Sequence, residues 1–124
     1  MAFINYNPNP EHKKTNDCTI RAISILTNQD WETIYLGTVS QGLIDHDMPD
    51  SDAVWGKYLH NMGFKRYPLP NTCPYCYTVK DFCNDHPVGI YLLKTQGHVV
   101  AVKDGDYYDT GDCGDEMPIY YWTR

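Results

Sequence analysis

Gly97-His98-Val99-Val100-Ala101-Val102-Lys103-Asp104-Gly105-Asp106-Tyr107-Tyr108-Asp109 is the stretch on which the reading of this chain turns. An apolar, β-branched run meets a second aromatic run across Asp-Gly, the strongest short hairpin signal. A two-residue turn pairs Lys103 with Asp106 and so sets Val102 opposite Tyr107, Val100 opposite Asp109 and His98 opposite Gly111. Side chains alternate along a strand, which places His98 and Asp109 on one face as diagonal neighbours and Asp112 on the other. A three-residue turn with a bulge would shift that parity and put Asp112 in the place of Asp109.

Outward from the hairpin, Val88 to Leu93 and Pro118 to Trp122 have strand composition, separated by Gly97 and by the Gly111 to Asp115 cluster. Phe64 to Leu69 is a further short strand, followed by a proline-bearing loop to Cys76. The N-terminal half reads as helical. Asn5 to Pro10 is an extended lead-in, and Thr15-Asn16-Asp17 are three capping residue types before Cys18 to Leu26, a segment apolar nearly all round and hence expected to be buried. Asp30 caps a second helix through Trp31, Ile34, Tyr35 and Val39, ending near Gly42. Asp50-Ser51 opens a third, with Val54, Tyr58, Leu59 and Met62 in a stripe that stops at Gly63, and Thr78 caps a short fourth that ends before Pro87. Helices first and antiparallel strands later predict an α+β fold, with residues 1–124 as a single domain.

The balance of 10 basic against 16 acidic residues leaves a net charge of −6, which disfavours nucleic acid and anionic membrane as partners. At 42% hydrophobic and 14% aromatic the chain carries enough apolar material for a core. No apolar run approaches the ~18 residues that span a bilayer. Met1 to Pro10 has polar residues and prolines where a secretory signal has its apolar block, so a soluble, cytoplasmic protein is expected. In a reducing compartment, 5 unevenly spaced cysteines suit catalysis or metal binding better than a disulfide framework.

Cys18 stands where the first helix begins, so unpaired amides and the positive end of the helix dipole favour its thiolate and offer donors to an oxyanion beside it. Such a nucleophile requires a base. His12 lies in the polar lead-in, His46 and His60 in loop or helix-surface settings, and His86 at a helix terminus. His98 alone opens a strand, which fixes its ring. Asp109, with Asp112 as second choice, is placed to orient that imidazole.

Asn16-Asp17-Cys18-Thr19-Ile20-Arg21-Ala22-Ile23, then Gly97-His98-Val99-Val100-Ala101-Val102, then Tyr108-Asp109-Thr110-Gly111-Asp112 resemble, in that order, the motifs of papain-like cysteine peptidases. The likeness is greatest to bacteriocin-leader-processing peptidases and to short phage and prophage proteins of that clan, and with the latter it extends over nearly the whole chain. The resemblance implies a papain-like fold, an N-terminal helical half carrying the nucleophile and a C-terminal antiparallel sheet. It implies Cys18 as nucleophile, His98 as base and Asp109 as orienter of a thiol-dependent hydrolase acting on a peptide or protein, without a catalytic cofactor, in a bacterial host cytoplasm. The clan usually sets an oxyanion-binding glutamine six residues before the nucleophile; here that position is His12, so His12, Asn16 or backbone amides take its place. Loss of such a donor typically costs about 10²- to 10³-fold in rate. That departure supports an alternative, a non-catalytic papain-like binding module acting on a host or phage partner protein.

Cys73, Cys76, Cys83 and His86 follow a C-x2-C-x6-C-x2-H spacing, a donor set for a structural zinc ion. The competing readings are a core role for Cys83 with reduced loop thiols at Cys73 and Cys76, or a redox pair. Asp45, Asp47, Asp50 and Asp52 lack the central Gly and closing Glu of a calcium loop and read as a solvated, cap-bearing segment. Cys113, in a Gly/Asp turn, has no assignable role.

Overall fold

Asp104 and Gly105 both take positive φ, 50° and 81°, the left-handed pair that a two-residue hairpin turn of type I′ requires. The turn joins β4 (His98–Lys103) to β5 (Asp106–Asp109), with Lys103 opposite Asp106, Val102 opposite Tyr107 and Ala101 opposite Tyr108. The bulged alternative therefore does not arise. The computed structural model describes residues 1–124 throughout.

Around this hairpin lies a six-stranded sheet of order β1-β5-β4-β3-β6-β2, completed by β1 (Phe3–Asn5), β2 (Lys65–Pro68), β3 (Ile90–Thr95) and β6 (Tyr120–Thr123). The fold is α+β, but the expectation of a purely antiparallel C-terminal sheet needs correction. β1, from the N-terminus, runs parallel to β5, while the other edge strand, β2, pairs antiparallel with β6. Each outer strand pairs on one side only; β1 spans three residues, too few for alternation to declare a strand in sequence, whereas β2 falls within the strand expected from Phe64 to Leu69. Pro68 is tolerated in β2 because an edge strand can spare an N–H.

Four helices complete the chain: α1 (Cys18–Thr27), α2 (Trp31–Asp45), α3 (Asp52–Asn61) and α4 (Val79–Asp85). Asp30 caps α2 by accepting from the Thr33 N–H at 2.8 Å, and Thr78 and Asp81 form a reciprocal capping box at α4. α2 runs past the expected stop at Gly42 and ends on left-handed His46. Gly42 serves close approach instead, since a Cβ there would meet the Asp47 carbonyl oxygen at 2.8 Å.

The sheet is covered on both faces. Leu92, Val99 and Ala101 join Ala22, Ile23, Leu26, Ile34, Trp55 and Leu59 in one core; Leu93, Val100, Val102 and Tyr107 join Val79, Phe82, Cys83 and Cys113 in the other. This explains why β4 reads as an unbroken apolar run: a strand buried on both faces has no solvent side to alternate with. By the same pleat His98 shares its face with Val100 and Val102, the face under α4, while the start of α1 reaches it at the strand's end. No helix is long and apolar enough to cross a membrane.

Candidate active site

α1 begins at Cys18, and Asp17 occupies its N-cap position, where a carboxylate normally accepts from the first-turn amides. Here it does not. Its Oδ1 accepts from Arg21 Nε–H at 2.8 Å and its Oδ2 from Trp31 Nε1–H at 2.9 Å. The first backbone bond of the helix is Arg21 N–H to the Asp17 carbonyl, 2.9 Å. The amides of Cys18, Thr19 and Ile20, in the turn that begins at Cys18, have neither a helical partner nor a capping side chain.

His98, first residue of β4, holds Asp109 through Nε2 to Oδ2 at 2.5 Å. The imidazole and the Val99 N–H lie close enough to the Cys18 thiol for both to favour its ionised form. His98 and Asp109 thus meet across β4 and β5, as the two-residue register requires, with Cys18 of α1 near the imidazole. Asp112 is committed elsewhere, accepting from Tyr107 O–H at 2.6 Å and Gly114 N–H at 2.9 Å.

The electrostatics follow from these contacts. Burial pushes the Cys18 thiol up, but the His98 hydrogen bond and charge, the Val99 amide and the Arg21 cation together hold it below the ordinary thiol value. His98 is pushed up to about 12, chiefly by Asp109, then by Cys113 and Cys18, against the opposing effect of burial. Burial also raises Asp109, yet the His98 hydrogen bond and charge and the Thr110 amide keep its carboxyl below the usual value. At neutral pH the His98–Asp109 pair is an imidazolium beside a carboxylate, and the imidazolium favours ionisation of the neighbouring thiol.

Sequence reasoning passed over the group that holds this trio. Arg21, 8% exposed, forks between two carboxylates: Nε to Asp17 and Nη1 to Asp109 Oδ1 at 3.0 Å, with a second Nη1 bond to Thr110 Oγ1 at 3.1 Å. Its signal was available, because an arginine inside an otherwise apolar helix must find buried carboxylates, and Asp17 lies one turn earlier. Cys113 is the other omission. It lies in a turn with no helical or strand period, yet its sulfur is within 4.8 Å of both His98 and Asp109 donor atoms.

Two further expectations fare differently. Asn16 and His12 are both exposed, and neither side chain forms a hydrogen bond within the chain, whereas the first-turn amides of α1 are free. Asn16 does line a cavity of about 230 Å³ next to the start of α1, with Thr19, Ile20, Tyr35, Met48 and Pro49. The zinc set Cys73, Cys76, Cys83 and His86 is not assembled. Cys83 is 1% exposed on the core face of α4, as its small-hydrophobe reading has it, while Cys73 and Cys76 are exposed in a loop. The His86 ring stacks on Phe82 with centroids 3.8 Å apart, and its Nδ1 donates to the Phe82 carbonyl at 2.8 Å. The one cluster of donor types close enough to share an ion is His98, Asp109 and Cys113. No family model, curated protein or solved structure matches this chain.

Proposed function

We propose that the protein is a papain-like thiol hydrolase acting on a peptide or amide bond. The observation that carries the reading is the meeting of Cys18, His98 and Asp109 beside first-turn amides from which the capping carboxylate has been drawn away. The Cys18 thiolate attacks the carbonyl carbon, and the electron pair displaced onto oxygen is received by the Cys18 and Thr19 amides and the helix dipole. As the tetrahedral species collapses, His98 gives its proton to the departing nitrogen, the C–N bond breaks, and a thioester on Cys18 remains. Neutral His98 then takes a proton from water; the hydroxide adds to the thioester, the acid leaves, and the thiolate and imidazolium are restored. Asp109 keeps the ring oriented and stabilises its charged form throughout. The cavity bounded by Ile20, Tyr35, Met48 and Pro49 suits one apolar side chain of the substrate, in keeping with a short site.

Labelling with iodoacetamide and with an epoxide thiol inhibitor, read by mass spectrometry, tests this. Cys18 is expected to react first although Cys73 and Cys76 are the exposed thiols, and His98→Ala is expected to abolish that preference. Faster labelling of Cys73 or Cys76, or a Cys18 rate indifferent to His98, would overturn it.

A second reading, a non-catalytic papain-like binding module, is favoured by the outer side of α2 and the turn after it, where Leu36, Leu43, Ile44 and Met48 are 65%, 75%, 69% and 66% exposed. Apolar residues gathered in this way mark interaction surfaces. That reading predicts an unactivated Cys18 in the same labelling experiment.

A further inference from the structure

We propose that His98, Asp109 and Cys113 form a binding site for one divalent transition-metal ion of the zinc class. The site is built by the turn after β5. The Asp112 carboxylate accepts from Tyr107 O–H at 2.6 Å and Gly114 N–H at 2.9 Å, which winds Gly111 to Gly114 tightly and turns Cys113 inward to 5% exposure. One donor atom from each of His98, Asp109 and Cys113 then lies within 4.8 Å of the other two.

Imidazole nitrogen, carboxylate oxygen and thiolate sulfur are the three donor types zinc takes, and three protein donors with one open position is the pattern of a solvent-accessible zinc site. Tetrahedral coordination at the usual bond lengths separates neighbouring donors by about 3.3–3.7 Å, inside the span observed. The His98 and Asp109 atoms, now 2.5 Å apart across a shared proton, would part by about 0.9 Å as the ion replaces that proton, a side-chain rotation. The other carboxylate oxygen of Asp109 is already held by Arg21 at 3.0 Å, the kind of outer contact that fixes a ligating carboxylate. The ion reaches the site past the His98 side chain, which is 25% exposed, whereas that of Asp109 is 5% exposed. Water completes the coordination.

This site does not depend on the hydrolase reading. If that reading holds, the ion takes the imidazole that activates Cys18 and so switches the thiol off.

Co²⁺ is the probe. The full-length protein, chelator-stripped and kept reduced, is titrated and followed by absorption. One Co²⁺ per chain is expected, with a thiolate-to-cobalt charge-transfer band and the intense visible bands of a tetrahedral site, displaced by Zn²⁺. Cys113→Ser should remove the charge-transfer band and weaken binding by about 10- to 100-fold. Cys18→Ser and the double variant Cys73→Ser/Cys76→Ser should keep the band. Circular dichroism checks the Cys113→Ser fold; should that variant unfold, His98→Gln, expected to weaken binding equally, decides. Absence of saturable binding, a band that survives Cys113→Ser, or its loss with Cys18 or with Cys73 and Cys76 overturns the proposal.

Discussion

Arg21→Met removes the cation between two buried carboxylates while keeping a helix-forming, similarly long side chain. The Arg21–Asp17 and Arg21–Asp109 contacts are 2.8 and 3.0 Å, between side chains no more than 10% exposed. At an effective dielectric of about 20, each such contact is worth roughly 5 kcal/mol gross, most of it offset by the desolvation of three charges. The variant keeps the desolvation of Asp17 and Asp109 and loses the attraction, so the expected net loss is about 3–5 kcal/mol. That is a large fraction of the roughly 5–15 kcal/mol that holds a domain together. Urea unfolding at pH 7 reads it directly, as a midpoint lowered by about 2 M at a typical slope of about 2 kcal/mol/M. Arg21→Lys should recover only part of the loss, because one ammonium cannot fork between both carboxylates and Thr110. A loss below about 1 kcal/mol, or full recovery by lysine, would refute the claim that this buried fork organises the site.

Proton linkage makes a second prediction. The raised His98 holds a proton in the folded state that the unfolded chain sheds near pH 6.5, so on its own it stabilises fully below that pH and loses its contribution as pH rises toward about 12. The lowered Cys18 does the reverse: it lacks a proton that the unfolded thiol keeps until about pH 8.5, so its contribution is present above that pH. Below the unfolded thiol value the lowered Cys18 offsets part of the decline due to His98, so Cys18→Ser should steepen the fall of urea midpoints with rising pH, up to a limit of about 1.4 kcal/mol per pH unit. Asp109→Asn removes the largest influence raising His98; NMR of the imidazole protons should find its titration moved well below 12, with slower Cys18 alkylation at pH 7. Away from the site, Thr78→Ala breaks the α4 capping box and should cost about 0.5–2 kcal/mol. Gly105→Ala, forced to φ 81°, should cost about 1 kcal/mol, both measured as shifts in thermal midpoint.

The local signals were read well where one short segment carried the information. Asp104-Gly105 dictated the turn and through it the shared face of His98 and Asp109. Asp30 and Thr78 announced their helices by capping chemistry that needs only three neighbouring residues. Where partners are distant, sequence was silent or misleading. Phe3–Asn5 becomes a strand only because β5 offers it an unpaired edge. The spacing of Cys73, Cys76, Cys83 and His86 suggested one metal set, but the apolar face of α4 draws Cys83 into the core and leaves the loop thiols outside.

By itself, then, the sequence determined the α+β class, the hairpin register and the candidacy of Cys18, His98 and Asp109, because turn conformation, strand alternation and capping are interactions between near neighbours. Only the tertiary structure decided that Asp17 turns from its own helix to Arg21 and Trp31, that Arg21 reaches Asp109 across 88 residues of chain, and that Cys113 lies against the His98–Asp109 pair. Those contacts arise from burying charge beneath a sheet covered on both faces, where every polar group must find a partner and the partner is chosen by proximity in space.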